Sequence, residues 1–148
     1  MDPVSALSVA GVACQLAGLC VLIPQSFSNL KDKYDDAGRT IRNIKRFCST
    51  IGLAAQKIQD WLETTITSSG VTVPGLSALR SALLDYTQVV QDLKDDVDKI
   101  VGTVDGDAAL GSRQRMKFAW NQDAMQQHLQ ELHYLSTALH LLLDTTRL

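Results

Sequence analysis

The chain has 148 residues, 45% of them hydrophobic and 20% charged, with a formal net charge of −2. That length supports one domain with a real core and is short for two, and the apolar share excludes disorder along the whole chain. No overall basic footprint exists, so nucleic acid is not an expected partner.

The first element opens with Asp2 as N-cap and Pro3 at the first helical position, an order that satisfies orphan amides and presets φ. It then runs without a charge from Val4 to Ile23. Pro24 is expected to kink or end this helix, because proline removes an amide donor and clashes with the preceding turn. Phe27 to Tyr34 is a candidate continuation past the kink, and Tyr34-Asp35-Asp36-Ala37-Gly38 reads as the break before the next helix.

The second element carries Ile41, Ile44, Cys48, Ile51, Ala55, Ile58, Leu62 and Ile66 at alternating three- and four-residue steps, a helix seam held for more than three heptads. Gly52 lies inside it and costs roughly 1 kcal/mol relative to Ala, too little to overrule the pattern. Thr67 to Gly75 is a loop by composition. The third element repeats the spacing from Leu76 through Leu83, Val90, Leu93 and Val97 to Val104, with Asp85, Asp92, Asp95, Asp96, Asp98 and Lys99 on its wet side. Gly102 to Ser112 forms a second loop. The fourth, Arg113 to Thr146, uses Met116, Trp120, Leu129, Leu132, Leu135, Leu139, Leu142 and Leu143. The pattern stops at Leu148 without a stop signal, as at a cut from a longer protein or at a frayed end. The expected architecture is an all-α, antiparallel four-helix bundle. Ile44, Ile51, Ile58, Leu83, Val90, Leu93, Val97, Leu132 and Leu139 should form its core.

Catalytic chemistry has little to stand on. There is no GxxxxGK[ST] loop, no GxGxxG after a strand and no GxSxG elbow, so neither an enzyme nor a bound cofactor is expected. His128, His133 and His140 are spaced by five and seven residues, where a helical metal site needs three or four, so no metal is expected. Asp105 and Asp107 lack the remaining ligands of a calcium loop. Trp61 and Trp120 read as core fillers. Cys14, Cys20 and Cys48 have no CxxC pairing and read as small reduced core residues of a cytoplasmic protein. Met1-Asp2-Pro3 offers neither a basic n-region nor a Gly at position two, against a secretory signal or a myristoyl anchor.

The uncharged run is the sharpest feature. Twenty residues, Val4 to Ile23, make a helix of ~30 Å, the thickness of a hydrocarbon core. Ala6, Ala10, Ala13 and Ala17, flanked by Gly11 and Gly18, form a small-residue side, and Val9, Val12, Leu16, Leu19 and Ile23 a bulky one. This suits a central helix wrapped by three others and equally a membrane helix that packs closely; the two readings are compatible. After it, Arg39, Arg42 and Arg46 fall opposite the Ile41–Ile44–Cys48 seam, with Lys45 beside them. This basic stripe fits anionic lipid headgroups, an ordinary solvated face, or a salt-bridge partner for the acidic third helix.

Met1-Asp2-Pro3-Val4-Ser5-Ala6-Leu7 running into an uncharged small-residue helix resembles the N-terminal domain of fungal STAND (NLR-like) receptors, the HeLo and HeLo-like group. Asp36-Ala37 followed by Ile41 to Leu62 is similar to that family's second helix. Lys117-Phe118-Ala119-Trp120 followed by Met125 to Leu143 is similar to its last. The resemblance covers essentially the whole chain. It implies a helical domain over residues 1–148 at the front of a longer receptor, followed by an NTPase and repeats. It also implies a domain held inactive in the cytoplasm until self-oligomerisation, when the N-terminal helix enters the membrane and causes regulated cell death. Val4, Leu7, Gly11, Leu16, Gly18 and Leu22 are then the residues expected to carry insertion and oligomerisation, and Arg39, Arg42, Lys45 and Arg46 the contact with anionic lipid. Pro24 departs from a smoothly continuous first helix and limits the expected insertion to Ile23. The expected partners are other copies of the chain, the membrane and the receptor's own later domains. A non-lytic adaptor bundle that recruits partner proteins is the alternative.

Overall fold

The computed structural model describes residues 6–28, 35–69, 76–105 and 120–146. They form four helices, α1 (Ala6–Ser28), α2 (Asp35–Ser69), α3 (Leu76–Asp105) and α4 (Gln122–Thr146), and no strand occurs among them. The expected all-α bundle is therefore present. The expected boundaries shift in two places, and at Pro24 it is the expected continuation, not the end, that occurs, α1 running through the proline to Ser28. Ile23 and Phe27, on either side of the proline, are both fully buried, so packing on the core outweighs the lost backbone bond. Asp35 and Asp36, read as part of a break, instead open α2; two acidic residues followed by Ala suit a helix start. Finally, α3 passes Gly102 and reaches Asp105, whereas α4 begins only at Gln122. Val4, Met116 and the Lys117-Phe118-Ala119 run lie outside the described residues.

One apolar cluster joins all four helices, and each of the nine residues expected in the core is buried within it. α1 packs extensively on α2 and on α3, α2 packs on α4, and α3 touches α4 only briefly. Among the described residues neither α2 with α3 nor α1 with α4 makes contact, so each of those pairs occupies opposite corners of the bundle. Six residues join α1 to α2 and six join α2 to α3. Such links reach ~25 Å at most, shorter than the ~35 Å and ~50 Å helices they follow, so the chain must reverse at both. α4 runs in the direction of α2. Gln122 Nε2 donates to Thr40 Oγ1 at 3.2 Å, and Phe47 meets the His133 ring edge-on at 5.4 Å.

The start of α4 has a local cause that its apolar periodicity does not show. Asn121 Oδ1 accepts from the Ala124 amide at 3.1 Å, and the Asn121 carbonyl accepts from the Met125 amide at 3.0 Å, the bonding of an N-cap. Trp120 Nε1 donates to Gln122 Oε1 at 2.7 Å and holds the same turn. Asn121→Ala is expected to lower the unfolding free energy by about 1 kcal/mol, measured by urea titration, while Asn121→Asp leaves it nearly unchanged.

Candidate functional site

α1 has two apolar faces with different fates. Val9, Ala13, Leu16, Ile23 and Phe27, spaced three, four or seven residues apart, are fully buried. Opposite them Leu7, Val21 and Leu22 are 68%, 57% and 45% exposed, with Gly11, Cys14 and Gly18 also open to solvent. From Leu7 to Phe27 the helix is long and apolar enough to cross a bilayer, with 39% of the span buried.

The expected division into a small side and a bulky side is not the division the fold makes. Ala10 and Ala13 are buried beside Leu16 and Leu19, whereas Gly11 and Gly18 face outward, with no atom within 4 Å of where a Cβ would sit. The core needs mixed sizes to fit between α2 and α3, so burial follows helical angle rather than side-chain volume. Of the six residues expected to carry insertion, Leu7, Gly11, Gly18 and Leu22 lie on the exposed face, Leu16 is fully buried, and Val4 is not described. Gly11→Leu, which overpacks the fold if Gly11 is internal, is expected instead to leave the melting temperature unchanged or slightly raised, as a thermal melt by circular dichroism will show.

Beside this face, α1 and α2 leave a groove lined by Ala17, Val21 and Pro24 on one side and Lys45, Gly52 and Leu53 on the other. Cys20 and Cys48 also line it, with their thiols in hydrogen-bonding contact. Both are buried as expected, but Cys14 is exposed, so it is no core residue. Gly52 owes its place to this approach: a Cβ there would sit 3.2 Å from the Cys20 Cβ. The hydrogen bond to Cys20, then burial, holds the Cys48 thiol far above its ordinary value of 9.0. Above that pH the unfolded chain releases a proton that the folded chain keeps, so stability falls as pH rises, by up to ~1.4 kcal/mol per unit. Cys48→Ala is expected to flatten that slope in urea titrations between pH 9 and 10.

Arg39, Arg42 and Arg46 are exposed on the outer side of α2, while Lys45 is half-buried and turned toward the groove. Among the described residues none of the four has an ion-pair partner. A salt bridge to the acidic α3 of the same chain is excluded, because the two helices stand at opposite corners. The histidines are engaged locally. His128 Nε2 lies 2.6 Å from Asp96 Oδ2 across the brief α3–α4 contact, and His140 Nδ1 lies 2.7 Å from the Ser136 carbonyl. Trp61 and Trp120 are partly buried against the core, as expected of fillers. Comparison with protein-family models, curated proteins and solved structures gives no match.

Proposed function

We propose that this is a non-enzymatic, membrane-active effector domain that works by assembling with other copies of itself and inserting α1 into a bilayer. The observation that carries it is the apolar outer face of α1 on a helix whose length fits a hydrocarbon core. The outer face meets the membrane first; the inner face follows when α1 leaves the bundle. That departure transfers apolar side chains from one apolar medium to another, so its cost falls on what stays behind. α3, which rests mainly on α1, would keep only its slight contact with α4. Insertion therefore needs the vacated faces of several copies to cover one another, which ties it to oligomerisation. This agrees with the resemblance to fungal STAND-receptor N-terminal domains, in which reading the chain is the cytoplasmic front part of a cell-death receptor for innate immunity.

Dye release from vesicles tests the reading. The intact chain is expected to release dye, and Leu22→Glu, at an exposed site, to keep the parent melting temperature yet lose most of the release because a charge enters the bilayer with the helix. A parent chain that binds neither vesicles nor releases dye, but captures partner proteins, would put the adaptor reading in its place.

A further inference from the structure

The middle of α2 and the middle of α3, at opposite corners of the bundle, carry net charge of opposite sign. From residue 38 to residue 60, α2 carries Arg39, Arg42, Lys45, Arg46 and Lys57 against Asp60. From residue 80 to residue 99, α3 carries Asp85, Asp92, Asp95, Asp96 and Asp98 against Arg80, Lys94 and Lys99. Asp98 is paired with Lys94 at 2.6 Å and Asp96 with His128. Asp92 and Asp95 accept from the neutral amides of Gln88 and Gln91 at 2.9 Å, and among the described residues neither is in an ion pair. Asp85, Asp92, Asp95, Arg46 and Lys57 are all exposed.

Because α2 and α3 touch α1 and α4 but not each other, their outer faces point in opposite directions. The two faces also lie at one height. Gln122 marks the level of Thr40 and His133 that of Phe47, so His128, between them on the co-directional α4, stands level with about residue 44 of α2 and holds Asp96. Arg42 and Arg46 are four residues apart and Asp92 and Asp95 three, which at ~1.5 Å per residue is ~6 Å and ~5 Å. α2 and α3 run in opposite directions. A second copy set beside the first, without axial shift, therefore brings Arg42 and Arg46 to Asp95 and Asp92, with Lys57 within ~5 Å of the level of Asp85. The exposed Leu53 lies between Arg46 and Lys57 on the same face of α2.

We propose that the domain assembles head to tail, the basic outer face of α2 in one copy seating on the acidic outer face of α3 in the next. Each contact leaves one basic and one acidic face free, so it repeats into a row or ring rather than stopping at a dimer. The corner occupied by α1 lies between those of α2 and α3, so every copy in a row turns its exposed Leu7–Leu22 face to the same side. That places the basic stripe on the flank of the array, against protein, not on the side that meets lipid. The inference rests on the reading of the domain as one that acts by assembling, and its readout is association rather than leakage.

Two charge-reversed chains test it by sedimentation at low ionic strength, in solution and on neutral phosphatidylcholine vesicles. One carries Arg42→Glu, Arg46→Glu and Lys57→Glu; the other carries Asp85→Lys, Asp92→Lys and Asp95→Lys. Each alone is expected to keep the parent's helical signal and melt, and to associate about tenfold or more weakly than the parent. An equimolar mixture is expected to recover association, since each reversed face meets its complement, and the parent's association should weaken as salt is added. A parent that stays monomeric under both conditions, reversals without effect, or a mixture of folded chains that fails to recover would overturn the contact. Unchanged association with binding to anionic vesicles lost on reversal of the α2 charges would overturn it too, and assign that face to lipid.

Discussion

Leu16→Glu is expected to abolish the folded bundle, whereas the same change at Leu22 leaves it standing. Leu16 is fully buried in the face of α1 that the other helices close over, and Leu22, six residues later, is 45% exposed. Truncating a buried leucine costs ~2–5 kcal/mol by itself. A carboxylate without a partner in that position adds several kcal/mol more, or takes up a proton at a similar cost. The sum approaches the ~5–15 kcal/mol by which a domain of this size is stable. Circular dichroism should show the Leu16→Glu chain melted at temperatures where the Leu22→Glu chain is fully helical. A cooperative melt for Leu16→Glu close to that of the parent would mean that α1 packs with another face inward. The contrast matters for function, because loss of dye release by Leu16→Glu reports on folding, and the same loss by Leu22→Glu reports on the membrane.

Much of the fold is legible in the sequence because the seams of α2 and α3 repeat without interruption. Ile44, Ile51 and Ile58, or Leu83, Val90 and Val97, can leave water only on one side of a helix, and the structure buries all six. α1 is the element the sequence leaves open. It has no charged residue to mark an outside, so periodicity cannot say which of its apolar faces is internal, and only the position of α2 and α3 decides that Leu16 is core and Leu22 is not. Pro24 illustrates the opposite limit, where a strong local rule yields to the burial of Ile23 and Phe27 around it. Asn121, three residues before Ala124, is itself a helix-start signal, but the apolar pattern runs past it to Met116 and hides it. Nor does spacing alone say that α2 and α3 stand at opposite corners. That arrangement turns the basic and acidic stripes from an internal salt bridge into two outward faces.

A covalent tie between α1 and α2 is expected to raise stability and silence the domain together. Gly52 approaches Cys20 so closely that a Cβ at position 52 would lie 3.2 Å from the Cys20 Cβ, a few tenths of an ångström inside the ~3.5–4.5 Å range of disulfides. Gly52→Cys, combined with Cys14→Ser and Cys48→Ala to remove competing thiols, should oxidise to a Cys20–residue 52 bridge after a small separation of the helices. Closing a loop of about thirty residues should add ~2–4 kcal/mol to the unfolding free energy, read as a higher melting temperature that falls back on reduction. Cys20 lies within the Leu7–Phe27 span, so a tied α1 cannot cross a bilayer without drawing residue 52 in with it. Arg46 and Lys57 flank that position, and each costs ~2.5–3.5 kcal/mol or more at mid-bilayer. The oxidised chain should therefore bind vesicles through its outer face and release no dye, and a thiol reductant should restore release in the same sample. Equal release by the oxidised and reduced chains would show that α1 need not leave α2, and that the exposed face of the closed bundle is itself the membrane-active surface.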